Sequence, residues 1–264
     1  MTTLAPARRA DHYDDPAFDY QEYWRGRDYE HAAEQAAIDR LLEGRRFHRA
    51  LDVGGGYGRL SKHLTRYADE VILAEPSRQQ LGLAEAYLRN APEVRCLPAK
   101  ASDLGLPDTS VDIAMVVRVL HHIPDPEPEL AEIARVLRPG GTLLLEFANV
   151  SHALNRLRYA VRGRRIPLTP VRIAASADRL GIPFVNHHPK AVMALLERAG
   201  FALEAVLSGS NLRSPLAKRL LNTSAMLWAE RRLQPALAPL WFGPSIWLRL
   251  AKTGPEGLRR SRTP

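Results

Sequence analysis

Leu51-Asp52-Val53-Gly54-Gly55-Gly56-Tyr57-Gly58 is a short apolar run broken by one acid and followed at once by a glycine cluster. A segment with helical spacing comes next, carrying Leu60, Leu64 and Tyr67. Strand, tight glycine turn and helix in that order build the nucleotide-binding corner of α/β proteins. The glycines allow a sharp turn and let a ligand approach where a Cβ would clash. Two common versions of the corner fail here. In the dinucleotide fingerprint G-x-G-x-x-G, begun at Gly54 and Gly56, the third glycine falls on Arg59. The phosphate loop requires Gly-Lys-Ser/Thr before its helix, and that triplet is missing from this stretch.

Outward from the corner, Val71-Ile72-Leu73-Ala74 reads as a buried strand ending at Glu75-Pro76-Ser77. Glu75 lies 21 residues after Gly54, close to the spacing of about 20 at which an acid holds a ribose in a βαβ unit. A carboxylate accepts two hydroxyl hydrogen bonds in a fork, which suits vicinal ribose hydroxyls. Farther on come Leu104 to Asp112 before the strand Ile113–Val117, the loop Arg118-Val-Leu-His-His-Ile-Pro-Asp125, and Leu137-Arg-Pro-Gly-Gly141 before the strand Thr142–Phe147.

These motifs together resemble the class I S-adenosylmethionine (SAM)-dependent methyltransferases, whose first motif reads (V/L)-D-(V/L)-G-x-G-x-G. The resemblance is strongest over about residues 46–150. Its nearest flavour is the ubiquinone/menaquinone-biosynthesis type, which acts on many small molecules and some lipids. It implies SAM as cofactor. The implied cofactor contacts are Asp52, Gly54, Gly55, Gly56, Tyr57 and Gly58, Glu75 and Pro76, Ala101 and Ser102, and Arg118. One departure stands out. The family's G-D-A triplet, whose Asp accepts the adenine amino group, corresponds to Ala99-Lys100-Ala101, and a lysine cannot accept a hydrogen bond. Ser102, Asp103 or backbone groups near Ala101 are left for that task.

The implied fold is α/β: a Rossmann-like, seven-stranded, mostly parallel sheet with helices on both faces and an antiparallel last strand. Alternating strand and helix patterns agree with it. Residues 1–45 read as an N-terminal helical cap, with Tyr13, Phe18, Tyr20, Tyr23 and Trp24 among acids and a helix from an Asp28 cap to Glu43. Residues 46–264 form the methyltransferase domain, with lid insertions at about 149–189 and 208–243. Within the second insertion, Ser214-Pro215 starts a helix carrying Leu216, Leu220, Leu221, Leu227 and Trp228. Residues 245–251 read as the last strand and 254–264 as a frayed basic tail.

Methyl transfer needs a base only when the acceptor holds its proton, and histidine is the usual choice near neutral pH. His121 and His122 lie where the fourth strand ends, in the crevice that ligands use. His187 and His188 lie where the first insertion re-enters the core. All four are candidate bases, and a loop-ordering role is the competing reading for His121 and His122. Arg118 suits a carboxylate or phosphate, or pairs with an acid.

The 264 residues carry 37 Lys and Arg against 29 Asp and Glu, a net charge of +8. Arg156, Arg158, Arg162, Arg164, Arg165 and Arg172 concentrate in the first insertion. An anionic small-molecule substrate, a peripheral contact with an anionic membrane surface and RNA are the partners this charge invites. No aromatic-basic interleaving supports RNA. A single cysteine, Cys96, excludes disulfides within the chain and cysteine metal sites, and no metal site is expected. No apolar signal segment is seen at the start, and the uncharged stretch 234–248 falls short of the ~18 apolar residues a membrane span needs. A soluble, cytoplasmic enzyme acting on a small molecule is the expectation; an RNA methyltransferase and a noncatalytic SAM-binding regulatory module are the alternatives.

Overall fold

A computed structural model describes residues 12–14, 20–173 and 184–253; the side chains of His12, Pro215 and Leu216 also lie outside the described set. The expectations for Phe18, Leu216 and the tail 254–264 therefore fall outside it. β1 (Phe47–Val53) is an interior strand of the sheet, and its residues 50–53 are buried on both faces. That is the position a continuous apolar run takes in a parallel sheet. β2 (Ala68–Glu75) and β4 (Val111–Val116) pair with it in parallel on either side. With β3 (Val94–Pro98), β5 (Leu137–Ala148), β8 (Phe201–Gly209) and β9 (Ser245–Lys252), the sheet order is β3-β2-β1-β4-β5-β9-β8. β9 runs antiparallel between β5 and β8, as expected. The chain reverses its winding direction between β1 and β4, and this opens a crevice at their carboxyl ends.

Successive side chains on each strand point to opposite faces, which splits the core in two. Leu143, Leu145 and Phe147 join α5 (Glu127–Val136) and α7 (Pro189–Arg198) through Leu130, Ile133, Val192 and Leu196. Leu144, Met115 and Trp247 join α2 (Asp28–Leu41) through Ala37, Ile38 and Leu41, and α3 (Ser61–Leu64) through Leu64. α2 thus packs in the same cluster as β1 and β9. α1 (Tyr20–Trp24) precedes it, and α4 (Arg78–Tyr87) covers Leu73 of β2 through Ala84.

Several boundaries differ from the sequence reading. The helix after the corner is one turn, ending before Tyr67. α2 ends at Leu41, not Glu43. Asp28 is its first helical residue rather than its cap, and Arg27 at the cap position makes no side-chain bond; Asp28 there complements the helix dipole. Leu137 to Gly141, read as a turn, is the irregular start of β5, with a register shift against β4. The first insertion holds α6 (Ala153–Val161) and a two-stranded ribbon, β6 (Val171–Ile173) with β7 (Phe184–Asn186). The second holds α8 (Pro215–Leu220), capped by Ser214 Oγ accepting from Ala217 N, and α9 (Thr223–Ala236), whose Met226 packs on Tyr29 and Ala33 of α2. Among the described residues no helix is long and apolar enough to cross a membrane.

Candidate cofactor and acceptor site

The glycine corner leaves β1 at Val53, and its geometry explains its composition. Gly54, Gly56 and Gly58 have φ of +66°, +56° and +86°, a region costly for any residue with a Cβ. A Cβ on Gly54 would lie 2.6 Å from Val119 Cγ2, and one on Gly56 3.3 Å from Tyr20 Cε1. Beneath the corner, Asp52 is buried and accepts from Ser61 Oγ at 2.6 Å. Burial pushes its carboxyl up to about 7, against the Ser61 hydrogen bond and the Arg59 charge. Glu75 at the end of β2 accepts from Gly56 N (3.0 Å) and Ser77 N (2.9 Å), so it clamps the tip of the corner to the start of α4.

A cavity of about 330 Å³ opens at this edge. Of the expected cofactor contacts, Gly54, Gly56, Glu75, Pro76, Ala101, Ser102 and Arg118 line it. Asp52, Gly55, Tyr57 and Gly58 stand behind it: a Cβ at Gly55 would meet Asp52 Oδ2, one at Gly58 would meet Leu88, and Tyr57 packs edge-on against Tyr20 and Tyr87. These four shape the corner from below. Lys100 lies on the wall beside Ala101. Three buried polar atoms on residues of the cavity wall have no hydrogen-bond partner among the described residues: Gln80 Nε2, Gln80 Oε1 and Glu129 Oε2. Buried polar groups are rarely left so. Gln80 is 1% exposed, and burial also raises the Glu129 carboxyl above its ordinary range.

The N-terminal segment closes the other side. Tyr13 and Tyr20 line the cavity, and the segment is pinned to the start of α4 by Ser77 Oγ, which donates to Tyr13 O and Asp14 Oδ1. Tyr13 Oη lies 2.8 Å from His122 Nε2. Of the four candidate histidines, His122 alone lines this cavity. His121 is buried against His122 and Phe184, with ring centroids 4.1 and 4.8 Å away. Burial first, then His122, Arg118 and His187, holds its imidazole well below 6.5 and therefore neutral. His187 Nε2 lies 2.9 Å from Leu120 O, and its backbone joins Ala148 and Val150, so it ties β7 to the end of β5. His188 caps α7, its Nδ1 accepting from Lys190 N. It faces a larger groove of about 710 Å³ along α7 and β8, which contains none of the glycine corner and none of the expected cofactor contacts.

Beside the cavity runs a buried ionic network: the sequence reading allowed Arg118 an acid partner but did not identify Glu34, Arg59 or Glu146 as members. Arg118, itself at φ +61°, donates from its backbone N to Glu146 Oε2 (2.9 Å) and from its guanidinium to Tyr23 Oη (3.1 Å) and Glu34 Oε1 (3.4 Å). Glu34 also accepts from Arg59, whose guanidinium lies 3.4 Å from the Trp24 ring centroid. Arg59, where the dinucleotide fingerprint wants glycine, thus ties the corner to α1 and α2. Ser245 Oγ donates to Glu146 Oε1 at 2.5 Å. The available signal was an acid inside an apolar run: Glu34 among alanines, Glu146 between Leu145 and Phe147.

A doubly wound sheet with a glycine corner, a strand-end acid and a crevice at the carboxyl ends of its strands defines a nucleotide-type cofactor protein. The comparisons sharpen that class. The methyltransferase-domain family model matches residues 51–145. A ubiquinone/menaquinone biosynthesis C-methyltransferase of Saccharophagus degradans is 31% identical over 167 residues, which cover 59% of this chain and 67% of that protein. An uncharacterized methyltransferase of Mycobacterium tuberculosis is 37% identical over 107 residues, covering 40% of this chain and 42% of its own length. A solved Thermotoga maritima SAM-dependent methyltransferase, described as a possible histamine N-methyltransferase, shares the fold with a TM-score of 0.66 at 21% identity, covering 92% of this chain and 98% of that one. The chain belongs to the class I SAM-dependent methyltransferases. It spans under half the length of the mycobacterial relative, and fold likeness does not fix an acceptor.

Proposed function

We propose that this enzyme moves the methyl group of SAM to a small-molecule acceptor of hydrophobic or anionic character. The observation that carries the proposal is the cavity at the sheet edge, with the glycine corner on one wall and Tyr13, Tyr20, Arg118 and His122 on the other. When bound, SAM supplies a methyl group on a cationic sulfur. The residues present fit it. The positive-φ glycines keep the corner's backbone bare at the cavity wall, Glu75 suits the ribose hydroxyls, and Gln80 would offer one donor and one acceptor to the ligand. Glu129 Oε2, buried on the cavity wall without a partner among the described residues, would supply the adenine amino group with the acceptor that Lys100 cannot.

At the acceptor end, Tyr13 and Tyr20 exclude water and present ring faces and edges to an apolar body. Arg118 keeps its charge at any working pH; Glu34 already pairs with it, so a substrate carboxylate or phosphate would meet only the N–H groups that Glu34 and Tyr23 leave. Where the acceptor is a hydroxyl, its proton would pass to the Tyr13 oxygen as the Tyr13 proton moves to His122 Nε2. Holding nucleophile and methyl in line is the larger task and can supply roughly 7–11 kcal/mol. The Saccharophagus relative, named for ubiquinone/menaquinone biosynthesis, supports a hydrophobic acceptor.

The test is transfer of radiolabel from methyl-labelled SAM into fractionated cell extract. Label in low-molecular-mass acceptors, lost in a His122→Ala or Arg118→Gln variant that still binds SAM, is expected. Label in RNA would overturn the small-molecule reading. Tight SAM binding with no transfer to any pool would favour the regulatory module instead.

A further inference from the structure

α6 is amphipathic in the reverse of the usual sense. A surface helix normally buries its apolar stripe and shows its polar face to water. Here the inward side is held by polar groups: Asn155 Nδ2 donates to Val150 O (3.0 Å), and Arg156 donates to Ser151 O (2.5 Å) and Trp241 O (3.2 Å). No residue of the helix is buried. Leu154, Leu157 and Val161 share one face at spacings of three and seven, and are 63%, 62% and 79% exposed. Arg158 and Arg162 flank that face, and Arg164 and Arg165 follow in an exposed turn that also presents Leu168. In water such an apolar stripe is a net cost.

The occupant that matches it is a surface with both an apolar layer and negative charge. We propose that α6 and the turn after it form an interfacial anchor that seats this enzyme on anionic lipid bilayers. The stripe would enter the headgroup–acyl boundary while the arginines meet lipid phosphates, the arrangement of an in-plane amphipathic helix. Exposed Leu220, Leu221 and Trp228 in the second insertion are further apolar groups of the same kind. Placement gives the anchor a use. α6 begins five residues after β5 ends at Ala148, and β5 runs parallel to β4 and β1. The anchor therefore stands on the same edge of the sheet as the cofactor cavity, where an acceptor dissolved in or drawn from the bilayer would arrive. The inference goes beyond methyl transfer and does not rest on it.

The experiment is co-sedimentation of the whole chain with vesicles of phosphatidylcholine alone, and with about one third phosphatidylserine. Partition to the anionic vesicles only is expected, weakened by added salt. Partition should fall at least tenfold in Leu154→Ser/Leu157→Ser/Val161→Ser and severalfold in Arg158→Gln/Arg162→Gln. Calorimetry with SAM on the same variants should match wild type, since none of these residues lines the cofactor cavity; failure of the anchor is thereby separated from failure of the site. Equal partition of the triple serine variant and wild type, or no wild-type binding to anionic vesicles at low salt, would overturn the proposal. So would a homopolymer RNA that displaces the vesicles and binds the serine variant as well as wild type.

Discussion

Replacing Gln80 with methionine should make the ligand-free enzyme more stable and bind SAM more weakly, two effects of opposite sign from one side chain. Gln80 is 1% exposed, and neither amide atom finds a partner among the described residues. An unsatisfied buried polar group costs roughly 1–3 kcal/mol. Methionine has nearly the same length and shape and carries no amide, so Gln80→Met removes that cost with little change in packing. The expected gain is about 1–2 kcal/mol in urea unfolding of the ligand-free protein, a rise of ~2–4 °C in Tm at this size. Bound SAM would use both amide atoms; losing two neutral hydrogen bonds of about 0.5–1.5 kcal/mol each weakens Kd roughly 5- to 150-fold. Unfolding with and without a saturating amount of the demethylated cofactor, together with calorimetric titration, measures both. A Gln80→Met protein that is less stable without ligand would refute the premise that the amide lacks partners. One that is more stable yet binds SAM unchanged would remove Gln80 from the cofactor site.

Glu129→Ala should weaken SAM roughly tenfold; an inosine analogue of the demethylated cofactor, lacking the amino group, should bind wild type and variant equally, and a difference between them would argue against an adenine contact. Glu75→Ala should weaken SAM at least tenfold and also loosen the corner, because the carboxylate accepts from Gly56 N and Ser77 N; binding within threefold of wild type would exclude a ribose role. Glu34→Gln leaves Arg59 and Arg118 without their shared carboxylate and should cost about 3–5 kcal/mol in urea unfolding, the usual penalty for breaking one side of a buried pair. A loss below ~1 kcal/mol would show that water reaches the network. Asp52 carries the pH prediction. Its folded value is raised from 3.8 to about 7 by burial, so its contribution is whole below pH 4 and is lost as pH rises to 7, by at most ~4 kcal/mol. Against wild type, Asp52→Asn should therefore gain relative stability across that window, and parallel pH profiles would contradict the assignment.

The sheet and the glycine-corner wall of the cavity were legible in sequence because both depend on local pattern. Buried strands in a parallel sheet are continuous apolar runs, and a glycine corner must fall where φ turns positive. The order Leu51 to Gly58, then Glu75, then Ala101, thus located the cavity before any coordinates did. Asp52, Gly55, Tyr57 and Gly58 carry the same motif, but only packing shows that they face away from the cavity. Tertiary structure alone decided the rest. Which histidine meets the cavity depends on how β7 docks on the end of β5, and this leaves His122 at the wall while His187 and His188 hold backbone. Glu34, Arg59, Arg118 and Glu146 come from segments far apart in the chain, and no spacing rule joins them. The orphaned atoms of Gln80 and Glu129 are defined by the absence of neighbours in space, a property that sequence does not encode locally. The exposed stripe of α6 has the same origin: its periodicity alone would be read as a core face, and only the polar anchoring of Asn155 and Arg156 shows that the leucines point outward.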